Sequence, residues 1–123
     1  MSDLQTATPE PGTALSSAGT ALALPLVLVA DADADSRVRR ARQLQSRGFR
    51  VSIARTAFET IVKASCHVPD LILVDGSLGD SDVQETTHLL GMCPATAHIP
   101  VVRLTSGRRI PARLLSGVAG RCG

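Results

Sequence analysis

Acidic side chains gather at two points in this sequence: Asp31, Asp33 and Asp35 in one stretch, Asp75 and Asp80 in another. The first stretch follows the aliphatic run Leu26 to Ala30, and the second follows Leu71 to Val74. If both runs are neighbouring strands, their ends bring carboxylates together, an arrangement suited to a hard, oxygen-seeking cation such as Mg²⁺. A simpler role exists for Asp33 or Asp35, since a carboxylate just before a helix caps its free N–H groups and is favoured by the helix dipole. Asp75 is different. It directly continues Leu-Ile-Leu-Val, at the edge of a buried strand, where an unpaired charge is costly. Asp75 is therefore read as a site residue.

Other chemistries are disfavoured by the same residues. A dinucleotide enzyme needs a glycine-rich turn after its first strand, so that backbone amides can approach a pyrophosphate. Here three acids occupy that turn and would repel phosphate. Cys66, His67, Cys93 and His98 match no compact zinc-ligand spacing, and no strand-turn-helix elbow presents a nucleophilic serine. Enzymatic turnover is not expected. Arg37, Arg39, Arg40, Arg42 and Arg47 crowd one segment. Their expected role is a solvated helix face whose stems shield apolar surface, with a docking patch for an acidic partner as the functional reading.

The elements that must position these residues alternate along the chain. Leu26-Val27-Leu28-Val29-Ala30 is continuously apolar, the signature of a strand covered on both faces. Residues 35–47 read as a helix closed by Gly48, and Phe49 to Ala54 as a half-exposed edge strand. Thr56 and Glu59 have capping-box spacing, with Phe58, Ile61, Val62 and Ser65 following at helical intervals. Residues 70–74 form a second buried strand. Asp82 to Glu85 repeats the cap spacing before a face of Val83, Thr87 and Leu90. Ile99 to Leu104 makes a fourth strand, and Ile110 to Ser116 a short helix ended by Gly117. Alternating strands and helices of this kind predict a doubly wound parallel α/β sheet with helices on both faces.

Composition sets the outer limits. The 123 residues are 44% apolar with two Phe and no Tyr or Trp, enough for one domain with an aliphatic core but without stacking platforms for bases. Thirteen basic against 11 acidic residues leave a balanced net charge of +2, and nothing in it points to nucleic acid. Residues 1–24 show no period and are expected to be a flexible tail, leaving residues 25–123 as the folded domain. Three cysteines in no paired pattern, no basic start for a secretory signal and no apolar run of membrane-spanning length place the expected location in the cytoplasm, away from membranes.

Over residues 26 to about 120 the sequence resembles the response-regulator receiver domains of bacterial two-component signalling. Val27 to Arg37, with its acids Asp31, Asp33 and Asp35, resembles the family's first strand and acidic loop. Pro69 to Asp75 resembles the strand carrying the phosphoacceptor aspartate, with Leu78 where the family has Met or Leu. His98 to Thr105 resembles the fourth strand with its switch Thr or Ser. The resemblance implies a flavodoxin-like three-layer fold with strand order 2-1-3-4, and assigns Asp75 as phosphoacceptor and Thr105 as switch. It implies Mg²⁺ held by Asp31, Asp75, the Ser77 backbone carbonyl and Asp33, a histidine kinase or phosphotransfer protein as donor, and a downstream protein partner.

Three departures accompany it. Ala32 stands where the family has the second acid of its pair, and Gly79 stands where a proline is usual. The sequence ends at Gly123, where the family's fifth strand and its lysine are due, so that strand and the last helix are expected to be missing. Two functions follow as expectations: a stand-alone receiver accepting a phosphoryl group on Asp75, or a module of the same fold that is never phosphorylated and acts through protein contacts. A small enzyme on the same sheet is a third, disfavoured by the acidic first turn.

Overall fold

In the computed structural model, which describes residues 24–105 and 108–116, four strands form one parallel sheet. The strands are β1 (Leu26–Ala30), β2 (Arg50–Ala54), β3 (Leu71–Asp75) and β4 (Val101–Leu104). Their order across the sheet is β2-β1-β3-β4, as the resemblance implied. β1 and β3 are central and almost wholly buried, whereas β2 and β4 are the edges and carry the exposed Arg50 and Arg103. Three helices connect them: α1 (Ala34–Gln45), α2 (Ala57–His67) and α3 (Asp80–Met92).

Because strand side chains alternate between faces, the core divides into two layers. Val27, Val29, Leu71 and Leu73 point to the α1 side, where Leu44, Phe49 and Leu104 meet them. Leu28, Ala30, Ile72 and Val74 point to the other side, beneath Ala64 of α2 and Val83 and Leu90 of α3. The segment after β4 adds cover on the α1 side. Ile110 and Leu115, from the segment after β4, are buried in that layer. The segment turns helical over residues 112–116; Gly117, the expected stop, and residues 1–23 of the expected tail lie outside the described residues.

The helices differ from the sequence reading in start and phase. α1 begins at Ala34, capped by Asp33, whose Oδ2 accepts the Ser36 amide at 2.8 Å. Its buried stripe is Ser36, Arg40 and Leu44, while Val38 is half exposed. α2 buries Thr60 and Ala64, and Phe58 points outward at 78% exposure. Small residues on that face let α2 lie close to the sheet, and the Thr60 hydroxyl is satisfied by the Thr56 carbonyl at 2.7 Å. α3 starts at Asp80, two residues before the expected Asp82, and buries Thr86 in place of Thr87. Its N-terminal boundary is Gly79 at φ +95°. A proline, with φ locked near −65°, cannot take that conformation, which accounts for the glycine at this position.

Candidate functional site at the carboxyl end of the sheet

The parallel register aligns Ala30 of β1 with Val74 of β3, so Asp31 and Asp75 leave the sheet side by side at its carboxyl end. Both are buried, at 0% and 1% exposure. Ser77, in the 3-10 turn Gly76–Leu78, joins them: its hydroxyl donates to Asp31 Oδ1 at 3.0 Å and its amide donates to Asp75 Oδ1 at 3.2 Å. The amide of Asp33 donates to the same Asp31 Oδ1 at 2.9 Å, and that of Ala32 to Ser77 Oγ at 3.1 Å. The acid pocket is thus tied to both loops that flank it.

The remaining carboxylate oxygens face a guanidinium. Arg40 reaches down from the second turn of α1, only 3% exposed, and places Nη1 3.0 Å from Asp75 Oδ2 and 3.4 Å from Asp31 Oδ2. Its Nη2 donates to the carbonyls of Thr105 at 3.1 Å and Arg108 at 2.8 Å. One cation therefore bridges both acids, offsetting one of their two charges, and pins the chain after β4 across the end of the sheet. The five clustered arginines were expected on a solvated face; Arg39, Arg42 and Arg47 are exposed, Arg37 is partly covered and donates to the Asp31 carbonyl at 3.0 Å, and Arg40 is buried. Its signal was positional. Arg40 lies four residues after Ser36 and four before Leu44, on the one stripe that faces the sheet.

The expected ligand set assembles only in part. Asp31 and Asp75 meet, and Ser77 joins them through its hydroxyl and amide, whereas its carbonyl was the expected ligand; Asp33 is engaged as the α1 cap and stands outside the pocket. Thr105 enters through its carbonyl, on Arg40. A divalent cation needs free oxygen ligands around it. Here Asp31 Oδ2 and Asp75 Oδ2 are both taken by Arg40 Nη1. No group of three or more His, Cys, Asp or Glu among the described residues could hold a metal ion. Mg²⁺ does not fit the pocket as it stands. Lys63, the one lysine of the sequence, is on α2, where its ammonium meets the Ile53 carbonyl and Glu59.

No family model and no curated protein matches the chain. Solved structures do. It is similar to the chemotaxis response regulator CheY4 of Vibrio cholerae, at 22% identity and TM-score 0.63 over 82% of each chain. It is also similar to the N-terminal domain of a response regulator receiver protein from Methanoculleus marisnigri JR1, at 28% identity and TM-score 0.64 over 79% of this chain and 80% of that one. The chain has the CheY-like receiver fold. A third receiver, the non-phosphorylated HemR domain of Leptospira biflexa, aligns at 21% identity and TM-score 0.58 over 78% of this chain and 76% of that one. Among the described residues of this receiver-like domain, no helix is long and apolar enough to cross a membrane.

Proposed function

We propose that the chain is a signalling module of receiver type that acts through protein contacts, with phosphoryl chemistry at Asp75 held off by its own Arg40. The observation that carries this reading is the buried guanidinium bridging Asp31 and Asp75. Phosphoryl acceptance on a carboxylate requires an approach path and a cation that can follow the transferring group. Arg40 Nη1 already engages Asp75 Oδ2 at 3.0 Å. It is also held by the Thr105 and Arg108 carbonyls, so moving it breaks four polar contacts at once. Ala32 contributes no second acid for a metal beside Asp31.

The reading in which Asp75 accepts a phosphoryl group from a histidine kinase keeps one specific support. Asp75 ends the central strand β3 beside Asp31, with Thr105 just after the adjacent β4. Both readings need a protein partner and differ in what alters the domain's state. Incubation with acetyl phosphate and Mg²⁺, followed by intact-mass measurement, separates them. The wild-type chain is expected to gain no mass. A gain of one phosphoryl group, lost in Asp75→Asn, overturns the proposal in favour of a phosphorylated receiver.

A further inference from the structure

Four of the arginines that the acid pocket leaves unused converge on one cavity. Arg39 and Arg42 come from α1, Arg108 and Arg109 from the segment after β4, and with Arg40 and Gln43 they line a space of about 410 Å³. No carboxylate lines it. None of the four guanidinium groups forms an ion pair with another described residue. Four like charges gathered from segments nearly 70 positions apart create a positive potential that favours an anion, screened in part because all four side chains are exposed.

The floor of the cavity is built rather than fortuitous. Gln43 and the backbone of Ile110 exchange two hydrogen bonds, at 2.9 and 3.2 Å, which hold α1 and the post-β4 segment in register. Arg40 bonds the Arg108 carbonyl at 2.8 Å and fixes the same junction from the other end. Its Nε is buried and has no acceptor among the described residues. Guanidinium groups recognise phosphate oxygens by paired, charge-assisted hydrogen bonds. The volume falls within the range of small-molecule sites. A single orthophosphate would leave most of that space and most of the charge unmet, whereas two linked phosphates can span both walls.

We propose that this cavity binds a small molecule bearing a diphosphate group, held between Arg39 and Arg42 on one wall and Arg108 and Arg109 on the other. The source is either inorganic pyrophosphate or a nucleoside diphosphate. The inference does not rest on whether Asp75 accepts a phosphoryl group.

Isothermal titration of the full chain with pyrophosphate, ADP and AMP tests it. Saturable one-to-one binding of pyrophosphate and ADP is expected, with AMP weaker by about tenfold or more and the affinity falling as salt is raised. ADP tighter than pyrophosphate assigns the nucleotide as ligand; equal affinities assign the diphosphate alone. The double variant Arg39→Ala/Arg108→Ala should weaken binding by at least about tenfold. Both side chains are exposed, so its melting temperature should stay near wild type. If it does not, the single variant Arg109→Ser is read in the same titration and must weaken pyrophosphate binding. No saturable binding by about 10 mM, or affinity unchanged in the variants, overturns the proposal. Binding of an acidic peptide without pyrophosphate binding overturns it as well, and marks the cavity as a protein-docking surface. Arg40 keeps its ion pairs in every variant used, so these outcomes leave the acetyl phosphate experiment free to judge the acid pocket separately.

Discussion

At the residue scale the decisive side chain is Arg40. A buried ion pair contributes little relative to an apolar replacement of the whole group, but removing one partner strands the others. Replacing Arg40 would leave Asp31 and Asp75 as two buried carboxylates facing each other. Arg40→Met is therefore expected to cost about 3–5 kcal/mol in a denaturant titration, a large part of the stability of a small domain. The same substitution frees Asp31 Oδ2 and Asp75 Oδ2 for a metal. Mg²⁺ should then stabilise Arg40→Met by about 1.4 kcal/mol at a tenfold excess over its dissociation constant, seen as a raised melting temperature. Wild type should not respond. Equal Mg²⁺ shifts in both proteins would remove the case for Arg40 as the resident cation.

At the element scale, the start of α2 shows how local chemistry fixes a helix. Thr56 Oγ1 accepts the Glu59 amide at 3.0 Å, and Glu59 Oε1 accepts the amide of Arg55, one residue before the cap. That backbone hydrogen bond, followed by the nearby charges of Lys63 and Arg55, holds the Glu59 carboxyl below its ordinary value of 4.5. A carboxyl lowered on folding contributes stability that is present above its unfolded value and lost as pH falls through the folded one. Wild type should accordingly lose stability on acidification below about pH 4.5 by more than Glu59→Gln does, as thermal melts across that range will show. Thr56→Ala should cost about 1 kcal/mol at neutral pH. The other end of α2 is less well made. Val68 closes it in the left-handed conformation, at φ 45°, which a β-branched residue adopts only with strain.

At the scale of the whole molecule, residues 108–116 decide whether the sheet is covered. Leu115 is buried against the α1 layer, and Leu115→Ala should cost about 2–5 kcal/mol, as for other fully buried leucines. A loss near zero would mean that this segment does not seal the core. The sequence by itself determined the strands, their parallel pairing and the place of Asp31 and Asp75, because continuous apolar runs and strand-end acids are local patterns with one stable arrangement. It determined less about helix faces. Phe58 falls on the apolar spacing of α2 yet points to water, since facing a close-packed sheet favoured Thr60 and Ala64 by size. The positional signal of Arg40 is outweighed in the sequence for a related reason. Its charge marks it as a surface residue until the fold sets two acids and two carbonyls within reach. The cavity of arginines likewise exists only because Gln43 and Ile110, 67 positions apart, are bonded to each other. Local pattern chose the scaffold, and tertiary proximity chose which charges meet.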